Sequence, residues 1–361
     1  MKITNEMIDE ELRRSANKIE EMLKDLFENH VSIDDIISDI NNSPNNENIK
    51  NVLSNLSDSS DKEKFIKNFY ENHVMMNLIA KQYVVEGFQC IEKWIPRKKD
   101  GSKLKIYIYK PIEEKKNVPG VLWIHGGGYA MGAPKKRIPT FKNLIDESNC
   151  IIVAPDYRLS LEAPYPAALN DCYEALLWLK ENAKELGVRD DQIMVGGESA
   201  GGGLTAALSL YSRDKGEVNI AFQMPLYPMI DDRMTSESAR DNNAPVWNSS
   251  LNEWGWKLYL SDLYGKDVPP YAAASRATDY RNLPPTVTFV GDLEPFKDET
   301  ITYVKNLREA GVPVAFEMYN GAYHCFDEVC PDAEISKKSM NFFMEAFKYA
   351  VNNYFAKQTK N

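Results

Sequence analysis

Apolar positions follow two patterns that change over near residue 85. In the first part they recur at helical spacing: Ile8, Leu12, Ile19, Met22, Leu23 and Leu26 predict one amphipathic helix. Ser32 ahead of Ile33, Ile36, Ile37 and Ile40 predicts a short capped helix, and Asn41–Asn46, with its central proline, a loop. Val52, Leu53 and Leu56 predict a third helix. Phe65, Ile66, Phe69 and Tyr70, after the Ser/Asp cluster Ser57–Asp61, predict a fourth. No glycine occurs before residue 85. Beyond it, short apolar runs alternate with helical stretches: Leu104–Tyr109, Val118–Ile124, Cys150–Ala154, Asp191–Val195, Thr286–Val290 and Val314–Tyr319. Strands alternating with helices predict βαβ units in an α/β fold with a mostly parallel sheet, whose functional loops gather at the carboxyl ends of the strands. Met229–Tyr271 interrupts the alternation with Trp247, Trp254, Trp256 and many polar residues, so an inserted lid over that end is expected.

Composition narrows the function classes. The 361 residues are 43% hydrophobic and 27% charged, a globular balance. The longest apolar runs, Cys150–Ala154 and Ala175–Leu179, fall far short of the ~20 residues of a membrane-spanning helix, so no membrane span is expected. A net charge of −10 repels phosphate backbones, and no basic block interleaved with aromatics occurs, so no nucleic-acid partner is expected. The acidic, polar start gives no secretory signal, and the five cysteines (Cys90, Cys150, Cys172, Cys325, Cys330) form no Cys-x-x-Cys pair. A cytoplasmic chain with reduced thiols and no structural metal is the expectation.

Two motifs carry chemistry. Gly197-Glu198-Ser199-Ala200-Gly201, followed by Gly202 and Gly203, lies between the strand Gln192–Val195 and the helical run Leu204–Tyr211. A serine on so tight a strand-to-helix turn adopts a strained backbone, needs glycine on both sides, and projects its hydroxyl at a helix N-terminus. His125-Gly126-Gly127-Gly128 directly follows the strand Val121–Ile124. Consecutive glycines can turn backbone N–H groups toward a developing oxyanion, and losing one such donor costs about 3–4 kcal/mol of barrier stabilisation. The rival phosphate loop lacks its closing Lys-Ser/Thr pair. For a base the chain offers only His30, His73, His125 and His324. The first two fall in the helical amino-terminal part, and His125 stands where it would brace the glycine loop. His324, in a loop after the strand Val314–Tyr319, is left as the base.

In combination these motifs resemble the hormone-sensitive lipase-like family of α/β-hydrolases. Asp156-Tyr157-Arg158-Leu159 with Tyr165–Asp171, and Ala310–Val314 with Tyr319-Asn320-Gly321-Ala322-Tyr323-His324, are similar to that family's further signatures. The resemblance covers about residues 86–350. It implies an α/β-hydrolase fold, a mostly parallel central sheet flanked by helices, with a helical cap formed by residues 1–85 and an insertion at about 229–271 of an 86–361 catalytic domain. It also implies a Ser–acid–His triad with Ser199 as nucleophile and His324 as base. In the family the acid stands three after a glycine and just before a proline; Glu294 occupies that position and Asp292 is the runner-up. Asp298 is read as starting the next helix. Gly127, Gly128 and Ala200 are the implied oxyanion donors, with Gly126 able to replace one of them, and His125, Glu198 and Asp156 are supporting residues. The chain departs from the pattern at Cys325, where glycine usually follows the base, at Ser160-Leu161, which replaces Ala-Pro, and at Glu198, which replaces Asp.

The resemblance implies cleavage of short acyl esters, acetyl to about hexanoyl, with no cofactor. A cap with aromatic walls (Trp247, Trp254, Trp256, Phe65, Phe69, Tyr70) accords with a small-molecule ester substrate. An amidase, formamidase or peptidase would use the same triad, since the triad does not distinguish an amine from an alcohol leaving group. A non-catalytic receptor on a hydrolase scaffold would need no base, whereas His324 and an acid are both present. The sequence is compatible with a homo-oligomer.

Overall fold

The computed structural model describes residues 1–29 and 86–358. The helices and loop expected between residues 30 and 85, with His30, His73, Phe65, Phe69 and Tyr70, lie outside the described residues. The first helix, α1 (Glu10–Asn29), is present as the periodicity predicts, with Leu12 and Ala16 buried on its inner face and Ile8 buried just ahead of it.

Eight strands form one sheet: β1 (Phe88–Pro96), β2 (Lys103–Pro111), β3 (Val118–Ile124), β4 (Ile151–Pro155), β5 (Val188–Glu198), β6 (Phe222–Leu226), β7 (Thr286–Gly291) and β8 (Val314–Tyr319). Their order is β1-β2-β4-β3-β5-β6-β7-β8; β2 is antiparallel to both neighbours and all other pairs are parallel. All six predicted strands are found, the longest grown by a few residues at each end. The apolar runs of the central strands are buried on both faces, so alternate residues feed two cores. Leu122, Ile124, Val153 and Val195 face one core, with α3 (Ala167–Glu181) and α4 (Ala200–Lys215). Val121, Trp123, Ile152 and Met194 face the other, with α2 (Ile138–Ser148) and a C-terminal helix (Glu334–Asn353), where Phe343 and Phe347 are wholly buried.

Two strands escaped the pattern for physical reasons. β6 carries Pro225 and a buried Gln223, and proline has no N–H for the ladder. β6 meets β7 in register only at Gln223↔Thr286, and the Thr288 hydroxyl bonds Pro225 O across the gap. β1 is an exposed edge strand without clean alternation.

Residues 229–271 leave the sheet after β6 and contain α5 (Ser249–Leu260), whose N-cap Asn248 accepts from Leu251 N–H. The start of this segment is clasped by buried Glu299, in α6 (Lys297–Glu309), whose Oε1 accepts from Ile230 and Asp231 N–H. Burial, reinforced by the negative Asp231, pushes the Glu299 carboxyl well above the usual range, and the two N–H groups only partly offset this. The folded chain therefore holds this proton more tightly than the unfolded chain. The associated stability is present below the ordinary carboxylate pKa and is lost as pH rises through the raised value. Glu299→Gln keeps an acceptor oxygen but removes the titration. Its melting temperature relative to the parent should accordingly rise between pH 5 and pH 9, and thermal scans across that range check it. A pH-independent difference would mean Glu299 does not titrate with folding.

Candidate active site

β5 runs into Ser199, which takes φ 57° and ψ −121° before α4 begins at Ala200. Such backbone costs of order 1–3 kcal/mol. Three bonds hold it: Ser199 N–H donates to Leu226 O at 3.0 Å, and Ser199 O accepts from Gly203 N–H (2.9 Å) and Met229 N–H (3.0 Å). The flanking glycines are needed because β3 crosses closely. A Cβ on Gly197 would sit 2.4 Å from Ile124 O, and one on Gly201 2.0 Å from the same oxygen.

The Ser199 hydroxyl lies 2.8 Å from His324 Nε2. His324 Nδ1 lies 2.5 Å from Glu294 Oε2, and the other oxygen of Glu294 accepts from Gly291 N–H at 2.8 Å. All three side chains are buried, Glu294 completely. Burial pushes the Glu294 carboxyl up; His324, chiefly by its charge, and Gly291 N–H pull it back. Of the two acids considered, Asp292 is turned elsewhere, its carboxylate accepting from Gly321 N–H at 2.7 Å in the turn after β8. Asp298 stands in the first turn of α6, as read, and accepts from Ser238 N–H. Cys325 takes φ 58°, the left-handed region a glycine enters freely, with its thiol buried.

The glycine loop after β3 is held from below. Glu198 Oε1 accepts Gly126 N–H at 2.8 Å and Glu198 Oε2 accepts Trp123 Nε1–H at 2.8 Å. That bond removes Gly126 from the oxyanion donors: its N–H points down at Glu198. Gly127 O accepts from Ala130 and Met131 N–H, curling the loop and giving Gly127 φ 120° and Gly128 φ 59°. Ala200 N–H, at the first position of α4, has no intrahelical acceptor.

His125 braces this loop. Its ring stacks on Tyr157 at 4.3 Å, its Nδ1 lies 2.8 Å from Gly126 O, and Tyr157 Oη–H donates to His125 O at 2.9 Å. Asp156 does not join the site. Its side chain is exposed and its N–H bonds Lys105 O, so the next residue, Tyr157, provides the support instead. The buried acid of that signature is Asp171, which clamps Arg97 and Arg158. Among the tryptophans of the insertion, Trp256 is core, packed near Tyr129, whereas Trp247 closes over the site. A Cβ on Gly128 would lie 2.3 Å from the Trp247 ring, whose centroid is 6.3 Å from that of His324. Trp247 belongs to the expected lid, whereas Trp123 carries no local signal for its role, because it acts through a contact distant in sequence.

Residues 121–328 match the alpha/beta hydrolase fold family, and the chain belongs to it. Several of its relatives are esterases. The arylesterase of Saccharolobus solfataricus is 33% identical over 62% of this chain and 73% of its own length. The carboxylesterase NlhH of Mycobacterium tuberculosis is 31% identical over 58% and 67%. The solved bacterial heroin esterase superposes with a TM-score of 0.74 at 34% identity, covering 77% of this chain and 89% of that one. Fold and relatives together make the chain a carboxylic ester hydrolase.

Proposed function

We propose that the chain cleaves short acyl esters, acetyl to about hexanoyl, through an acyl-enzyme on Ser199. The carrying observation is the unbroken line from Glu294 through His324 to Ser199, at 2.5 and 2.8 Å. Ser199 Oγ attacks the ester carbonyl as His324 Nε2 takes its proton, and Glu294 orients the imidazole and stabilises the imidazolium. The N–H groups of Gly127, Gly128 and Ala200 receive the oxyanion. His324 then protonates the departing alcohol, and water repeats the sequence to release the acid. Residues 1–85 and 229–271 form the cap in this reading. The short-chain preference is supported by the Trp247 ring lying against Gly128 of the oxyanion loop. The five free cysteines accord with a reducing cytoplasm. Among the described residues no helix is long and apolar enough to cross a membrane.

A p-nitrophenyl ester series tests the reading. kcat/KM should peak between C2 and C6 and fall toward C12–C16; faster turnover of the long chains would overturn the acyl assignment. Matched p-nitroanilides should turn over far more slowly than the esters.

A further inference from the structure

Arg137, at the end of the turn that leads into α2, has a side chain only 4% exposed. Its guanidinium reaches four residues from three separate segments. Nη2 donates to Tyr227 Oη at 2.8 Å and Nη1 to Asp327 Oδ2 at 3.2 Å. Nη1 is also 3.4 Å from Glu328 Oε1, and Nε is 3.5 Å from Glu198 Oε2. Each partner bears on the reaction centre. Glu198 precedes Ser199 and holds Gly126 N–H, the anchor of the oxyanion loop. Tyr227 follows β6 and packs edge-on against His324, with ring centroids 5.0 Å apart. Asp327 and Glu328 lie in the helical turn Phe326–Val329, just beyond His324.

A buried ion pair is weak evidence of stabilisation, because desolvation offsets much of the attraction. A planar fork with five donors is, however, suited to fixing several acceptors at once, which a lysine ammonium on a flexible stem is not. We propose that Arg137 is a positioning residue that sets the oxyanion loop, through Glu198, against the base, through Tyr227 and Asp327. This rests on the reading of Ser199, His324 and Glu294 given above.

The test uses the full chain with Arg137→Lys and, as control, Ser199→Ala. Rates are normalised to sites titrated by a serine-directed phosphonate. Arg137→Lys should lose about 10²-fold in kcat on p-nitrophenyl butyrate per titrated site, with KM close to the parent's. Parental kcat per titrated site in Arg137→Lys would overturn the positioning role, as would a loss accounted for wholly by fewer titratable sites. Should Ser199→Ala stay active, the triad reading itself fails; an inactive Ser199→Ala beside a parental Arg137→Lys rejects only the role of Arg137.

Discussion

Ser199→Ala should lower kcat about 10⁶-fold with little change in KM, because the hydroxyl acts only once a bond forms to the substrate carbonyl. The substitution is mild for the fold: among the described residues the hydroxyl's hydrogen-bond partner is His324, and the three backbone bonds that hold the elbow remain. His324→Ala should cost about as much, and the double variant hardly more. Nucleophile and base act as a unit, so their effects do not add. Residual turnover well above the uncatalysed rate is expected, since the N–H groups of Gly127, Gly128 and Ala200 still receive the oxyanion. Purified variants assayed on p-nitrophenyl butyrate, with circular dichroism to verify folding, decide the point.

The second large effect separates the two acids that the sequence left open. Glu294→Gln should lose about 10⁴-fold in kcat, because an amide beside Nδ1 favours the wrong tautomer and cannot stabilise the imidazolium. Asp292→Asn should stay within a small factor of the parent. Asp292 bonds Gly321 N–H, which an asparagine oxygen accepts as well, and it does not reach His324. The pair is informative because both residues lie in the loop after β7 and both are raised by burial. Geometry alone distinguishes them. A near-parental Glu294→Gln would reject Glu294 as the orienting acid.

Much of this architecture is legible because it is local. The strands β3 and β5 end in the apolar runs Val121–Ile124 and Ile193–Val195 that lead into glycines, and the glycines are there because the two parallel backbones and the start of α4 lie in close contact at the carboxyl ends. The lines of Ser199, His324 and Glu294 follow from motif position. What escaped is non-local. Pro225 disguises β6, which survives as a central strand by pairing mostly with β5 on one side. Asp156 was grouped with the site by its signature, yet a signature does not say which way a side chain points, and Tyr157 carries the contact. Gly126 is set apart from its two neighbours by Glu198, which accepts its N–H. The glutamate that replaces an aspartate beside the nucleophile thus has a definite task, reaching both Gly126 and Trp123. Arg137 has no sequence signal, since its partners come from Glu198, Tyr227 and the turn after His324.

The most direct test of the account is the site of covalent capture. After reaction with a serine-directed phosphonate, peptide mass mapping should find one adduct, on Ser199, with esterase activity lost in step with labelling and no adduct in Ser199→Ala. An adduct on another residue, or full activity in the labelled protein, would contradict it.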